Sequence, residues 1–538
     1  MAAIVTSNFR VLNAENFKQD VADTSVYVSV GKSDAWSNST SDVTDGTITD
    51  FPPNDTLDDI GEARQNMIGL KKIASSDIAH VVPRHTWTTG TQYVPWDSED
   101  SGIFDKKFYA VTSEFKVYKC INAPSSGGST IQPTQTLTQP VTEADQYTWK
   151  YMYTISVADA EKFLTNSFMP VKTVPISTTG ITAAAVSSST TVILKDSNTN
   201  ILVGMRVAGT GISGSPTVAT VVGSRITLSA AQSISADVVL TFDFASNSAA
   251  ESALNEADYA QYLNQKASLD DALAGGIERV EITSSGSGYS GKPTVTITGD
   301  GSGAAINAAQ ITMGGSGNSQ VASMVLSNKG TNYNVANISI TGNATARAVI
   351  APKFGHGVDP VRELGAFFVA LNTKLDGAVN GDITVDNDFR QVMLVKEPRV
   401  HDANPLGGTI ATADSLRAIK GLDFASGLDL TNANASSVFP VDSVITGGNS
   451  QAKAFVAERD ITNDVIRYYQ NQKTGFGIFA NGETLTSSGG GSHALASSNA
   501  VIAAEVDKGS GTVLFLENRN PISRSATQIE DIKLILEF

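Results

Sequence analysis

Apolar and polar residues alternate in steps of two at the end of this chain. Ile532, Leu534, Leu536 and Phe538 alternate with Asp531, Lys533, Ile535 and Glu537, the period that sends apolar side chains to one face of a sheet. Two strands flanking a polar turn are therefore expected over residues 513–538. An end this apolar is expected to pair inside the body of the protein, because free chain ends fray. Further strand candidates lie near 25–30, 108–111, 115–121, 148–155, 191–195, 216–222, 238–242, 389–396, 464–469 and 476–479.

Helical spacing is rarer. A helix is expected over 56–72, with Asp58 and Asp59 in its first turn and Lys71 and Lys72 in its last, matching the helix dipole. The clearest one is expected over 249–274, where Leu254, Ala257, Tyr262, Leu269 and Leu273 recur before Gly275 and Gly276. A third is expected over 361–375, opened by Asp359 and Pro360. Between the last two lies an internal repeat: TSSGSGYSGKPTVTITG at 283–299 is echoed by SNKGTNYNVANISITG at 327–342. Each copy is a Gly turn leading into a strand and too small to bury a face alone, so two stacked β units are expected.

Composition supports a mainly β fold, because Gly, Ser, Thr and Val outnumber the strong helix formers. At about 150 residues per domain, 538 residues imply three or four cores. All four tryptophans, Trp36, Trp87, Trp96 and Trp149, lie in the first 175 residues and predict an aromatic core or interface there. A net charge of −16 with scattered basic residues argues against nucleic acid. The single Cys120 allows no intrachain disulfide and is expected to be buried. The first residues carry no secretory signal pattern and no run is long enough to span a bilayer, so cytosolic synthesis and no membrane insertion are expected.

Candidate chemistry thins out on inspection. Gly286, Gly288, Gly291 and Lys292 meet most of a phosphate-loop spacing, but PTVTITG follows instead of a helix, and Pro293 stands where a magnesium-binding hydroxyl belongs. The five histidines are scattered, and His80 and His85 lack further zinc ligands nearby. The acidic runs 42–50 and 299–303 lack calcium-loop spacing, and the adjacent pairs Asp58/Asp59 and Asp270/Asp271 point apart on a helix. No catalytic, cofactor or metal residue is assigned, and no enzymatic activity is expected.

Six segments in order carry a family resemblance: IVTSNFR at 4–10, VYVSVGKSDAW at 26–36, VVPRHTW at 81–87, FKVYKC with YTWKYMY at 115–120 and 147–153, DFRQVMLVKEP at 388–398, and ENRNPI with the final strand. In these the chain resembles the dimeric baseplate wedge subunits of contractile-tailed, T-even-like bacteriophages, in an enlarged form. The Gly-turn repeats resemble modules of phage tail proteins, those of marine cyanobacterial viruses above all. The resemblance implies a non-enzymatic virion protein of the tail baseplate, a homodimer that holds neighbouring wedge proteins during assembly and contraction. It also implies a layered β-sandwich core with helix-bearing loops, built from 1–175, 351–404 and 511–538. The remainder would be a small β module (176–245), a connecting helix (246–276), a Gly-rich β repeat module (277–350) and a β-rich insertion (405–510). Phe9, Trp36, Pro83, Arg84, Trp87, Trp149, Arg519 and Phe538 are the expected core and interface residues. The alternative is a receptor-binding or adhesin-like tail protein whose inserted β modules recognise host surface glycan.

Overall fold

The computed structural model describes residues 4–36, 52–124, 126–272, 275–404, 407–424, 438–460 and 465–538. It is mainly β, with many antiparallel sheets and few helices. Two compact units emerge, each discontinuous in sequence: one comprises 1–19, 79–370 and 535–538, the other 20–78 and 371–534.

In the first unit the central feature is a four-stranded sheet in the order Tyr109–Val111, Lys116–Asn122, Thr148–Thr154, Val141–Thr142. The two middle strands are buried through five consecutive residues, so both faces of the sheet are covered. One face carries Val117, Met152 and Tyr153, packed with Phe108, Val361 and Leu364. The other carries Tyr118, Cys120, Trp149 and Tyr151 together with Tyr93 and Tyr147. Cys120 is fully buried there, and burial pushes its thiol up.

The expected helix over 249–274 is two helices, Asn247–Ala253 and Glu256–Asp270. The break falls where Asn255 caps the second, its side chain accepting from the Asp258 N–H. That second helix buries a polar stripe: Gln261, Asn264, Gln265 and Ser268 lie at positions 0, 3, 4 and 7. Asn264 donates to the Met152 carbonyl at 2.8 Å, and Gln265 accepts from the Val174 N–H and donates to the Val358 carbonyl, both at 2.8 Å. Its Tyr262 packs against Phe244 and so enters the core of the small β module, with Val192, Leu228 and Phe242. One helix therefore joins the module to the aromatic sheet.

The two repeats pair with each other. Val295–Gly299 runs antiparallel to Ala336–Ile340, with Val295 opposite Ile340 and Gly299 opposite Ala336. Each copy's tyrosine covers the glycine that ends the other copy. A Cβ at Gly342 would lie 2.6 Å from the Tyr289 hydroxyl, and one at Gly299 would lie 3.0 Å from the Tyr333 ring. The Tyr289 hydroxyl also accepts from the Ala344 N–H at 2.8 Å. Arg279 and Arg347 fasten this region to the 95–121 segment: Arg279 donates to the Ile121 carbonyl at 3.2 Å, and Arg347 pairs with Asp97 and Glu281.

The last strand, Ile529–Glu537, lies in a four-stranded sheet, as its alternation predicts. The Phe538 N–H donates to the Phe367 carbonyl at 3.0 Å. The sequence pattern did not reveal the helix Ser7–Asp23, which holds this end. Its Phe17 ring lies 5.3 Å from that of Phe538, and the Arg10 guanidinium sits 3.5 Å over the Phe367 ring while donating to the Phe538 main-chain oxygen.

In the second unit, a five-stranded antiparallel sheet runs in the order Ser415–Arg417, Met67–Lys72, Val26–Gly31, Asp388–Lys396, Thr512–Ser523. A seven-stranded sheet drawn from 420–502 packs around Phe424, Phe439, Tyr468 and Phe479. Two helix expectations need correction. The helix expected over 56–72 is Leu57–Asn66, capped by Thr56, and Met67–Lys72 is a strand because partners on both sides take up its backbone groups. The helix expected over 361–375 is one turn, Pro360–Glu363, in the first unit. Gly365 then turns the chain at φ +68°, and Phe368–Asp376 is a strand. Residues 476–479 form no strand.

The reciprocal Tyr–Gly contact makes a specific prediction. Gly342 has φ +109° and no space for a Cβ, so Gly342→Ala is expected to destabilise the repeat region by about 1–3 kcal/mol. Gly291→Ala, with open space around its Cβ, is expected to change it little. Hydrogen exchange across 277–350 measures both.

Candidate functional site

Two lysines occupy the middle of otherwise apolar strands, and the sheet register sets Lys119 directly opposite Lys150. Both are buried, at 0% and 1% exposure. Like charges facing each other across a pair of strands destabilise it unless something neutralises them. Lys119 is answered by Glu363, whose Oε2 lies 2.8 Å from its Nζ, and its ammonium sits 4.6 Å from the Trp96 ring centre. Glu363 is fixed in turn by the 355–363 loop: its Oε1 accepts from the N–H of Gly357 at 2.7 Å and of Asp359 at 3.2 Å. Burial alone would raise the Glu363 carboxyl, but the Lys119 ammonium beside it outweighs that, and the carboxyl is held down at about 2.

Lys150 is held differently. Its Nζ donates to the Thr138 carbonyl and, at 2.9 Å, to Ser268 Oγ. Burial lowers it to about 8, with Glu363 and Asp271 pulling upward and Lys119 pushing further down. Next to it stands His356, buried, its ring 5.1 Å from Trp96 in an edge-to-face contact. Its ring nitrogens lie 3.7 Å from Glu278 Oε2 and 3.8 Å from Glu363 Oε2, beyond hydrogen-bond distance. Burial, followed by the charge of Lys119, lowers the imidazole and keeps it neutral. Glu278 is engaged by Lys329 at 2.9 Å. Lys150, Ser268, Asp271, Glu278, Lys329 and His356 line one pocket of about 240 Å³.

The expected core and interface residues disperse over the two units. In the first, Trp149 is fully buried and stacks on Tyr147, with ring centres 5.9 Å apart. Trp87 is half-buried and donates to Ser129 Oγ at 3.2 Å. Arg84 donates to the Thr165 carbonyl at 3.0 Å, and the Pro83 carbonyl accepts from the Tyr109 hydroxyl at 2.7 Å. Phe538 is packed as described above, whereas Phe9 is 53% exposed. In the second unit, Trp36 Nε1 donates to the Arg519 carbonyl at 3.1 Å, and Arg519 pairs with Glu517.

The segments rejected as chemical sites are occupied structurally. Lys292 donates to the Ala308 carbonyl, and Asp300 accepts from the N–H groups of Asn334 and Val335. His80 Nδ1 lies 3.2 Å from the Ala366 carbonyl, and His85 packs on Tyr109. The acidic run 42–50 lies outside the described residues. Among the described residues no group of His, Cys, Asp and Glu is arranged to hold a metal. Sequence reasoning missed Lys119, Lys150, His356 and Glu363. The available signal was a lysine flanked by apolar residues in VYKCI and again in TWKYM.

The family model described as Bacteriophage T4, Gp8 matches residues 3–126. The chain is similar to a phage baseplate wedge protein. That relative is the "Baseplate wedge protein gp8" of Enterobacteria phage T4, 22% identical over 204 residues, covering 31% of this chain and 60% of the relative. The chain thus spans about 60% of the length of the curated relative it matches. Neither match bears on a cyanobacterial source.

Removing one partner of the buried pair leaves an uncompensated charge, so Glu363→Leu is expected to destabilise the first unit by about 3–5 kcal/mol. The double variant Lys119→Met/Glu363→Leu is expected to lose less. The folded Glu363 carboxyl lies below its unfolded value, so its contribution is present above the unfolded pKa and is lost as pH falls toward about 2. Urea unfolding at a series of pH values is therefore expected to show the single variant and the wild type converging in acid.

Proposed function

We propose that this chain is a structural subunit of the tail baseplate wedge of a contractile-tailed phage. On this reading it forms a homodimer and holds neighbouring wedge proteins during assembly and contraction. The observation that carries it is the match over residues 3–126, which takes in the segments IVTSNFR, VYVSVGKSDAW, VVPRHTW and FKVYKC. What these segments do in the fold supports the reading. They supply a helix, paired strands and buried aromatics, all of it packing. No catalytic step belongs to this function. The virion would be its location, and no helix among the described residues is long and apolar enough to cross a membrane.

Self-association needs apolar surface, and the beginning of the chain has some. Ile4, Val5, Phe9 and Leu12 are all exposed, the last two on the Ser7–Asp23 helix. That helix is started by Thr6, whose Oγ1 accepts from the Phe9 N–H at 3.2 Å. Its other side holds Phe538 through Arg10 and Phe17, so a partner docking here would meet a fixed platform.

Native mass measurement at micromolar concentration tests the proposal. A species of twice 56.3 kDa is expected, and Phe9→Glu is expected to weaken the dimer by about tenfold or more. A monomer at every concentration would contradict the dimeric reading.

A further inference from the structure

The charges around the Lys119/Lys150 pair balance in number but are unevenly paired. Lys119 is matched by Glu363 and Lys329 by Glu278, each at direct contact distance. Among the described residues Lys150 has the Thr138 carbonyl and the Ser268 hydroxyl as its hydrogen-bond partners. It is the fully buried cation of the group without a carboxylate in contact, and it borders the pocket. His356 borders the same pocket, more than nine-tenths buried, with neither ring nitrogen in a hydrogen bond among the described residues. A buried imidazole left without a partner costs stability, as does a buried ammonium short of its counter-ion. Both costs fall on one cavity.

We infer that this pocket is a binding site for a small oxyanion of the carboxylate or phosphate class, held by Lys150, His356 and the Ser268 hydroxyl. The donors suit such a ligand. An ammonium has three protons, and Lys150 uses two of them on Thr138 and Ser268. The Ser268 oxygen accepts from Lys150 and keeps its own proton to give. A neutral imidazole has one N–H. Three donors from a strand, a helix and a loop thus converge on one space, and charge-assisted bonds to an oxyanion are the stronger kind. Glu278 and Asp271 also line the pocket and oppose an anion. Lys329 offsets Glu278, and Asp271 accepts from Gln139 at 3.1 Å. Their presence favours an ion of low charge and a site selective by size.

The titratable groups facing Lys150 among the described residues are Lys119 across the sheet, Glu363 and the neutral His356 on the 355–363 loop, Asp271 at the helix end, and Glu278 with Lys329 from the repeat region. Lys150 carries its charge below about 8 and loses it above. Binding is therefore expected to weaken as pH rises through that value.

The test is a thermal-unfolding titration of the full chain with sodium phosphate and, separately, sodium acetate, each at constant ionic strength set with chloride. The wild type is expected to show a saturable rise in midpoint at pH 7 with at least one of the two anions. Which one acts distinguishes phosphate from carboxylate. Lys150→Met is expected to bind at least tenfold more weakly, and His356→Phe serves as a second variant should the first unfold. No saturable rise in the wild type, or an equal rise in a folded variant, would overturn the inference.

Discussion

Burying two lysines opposite each other inside a sheet is the constraint around which the first unit is arranged. At close range two ammonium groups repel by several kcal/mol wherever water is scarce. Register forces Lys119 and Lys150 together, so other parts of the chain must supply compensation. The 355–363 loop brings Glu363, and it can do so because its own N–H groups at Gly357 and Asp359 are aimed at that carboxylate. The helix Glu256–Asp270 brings Ser268 on the same polar stripe that bonds Met152, Val174 and Val358. Segments more than 200 residues apart are thus fixed by one electrostatic requirement. Buried pairs of this kind add little net stability, but they penalise any arrangement that separates the partners.

Strands were legible as short runs rich in β-branched and aromatic residues, and in the final one as a period of two. The expected strands over 148–155 and 389–396 and the final alternating run appear within a residue or two as Thr148–Thr154, Asp388–Lys396 and Ile529–Glu537. The internal repeat was legible too, although its reciprocal packing of Tyr289 and Tyr333 was not. Helix limits failed for identifiable reasons. Gly69 and Gly365 lie in the two stretches that were expected to be helical and are not. The first sits where a Cβ would lie 2.7 Å from Ile383, and the second takes a left-handed turn. The helix Ser7–Asp23 buries Val11, Ala14 and Val21, but the exposed Phe9 and Leu12 on its other face blur that periodicity.

The candidate site was hidden for a related reason. Pattern reading assumes that apolar residues go inside. Here Gln261, Asn264, Gln265, Ser268, Lys119, Lys150 and Glu363 are inside, each with at least one hydrogen-bond partner far away in sequence. A buried polar group can be predicted only together with its partner, and the partner is a product of the fold. The aromatic expectation fared unevenly by position. Trp149 is central to a buried cluster, whereas Phe9 remains on the surface.

The likeness to a baseplate wedge protein lies in the segments that build helix, strand and aromatic core, and the repeat region is tied to that core through Arg279 and Arg347. A static building block fits both facts better than a mobile binding arm. Electron cryomicroscopy of the intact tail tests this most directly. The account predicts density for this chain in the baseplate, in paired copies, with 277–350 held against the 95–121 segment in every copy. Density at the tips of tail fibres, or none in the particle, would contradict it.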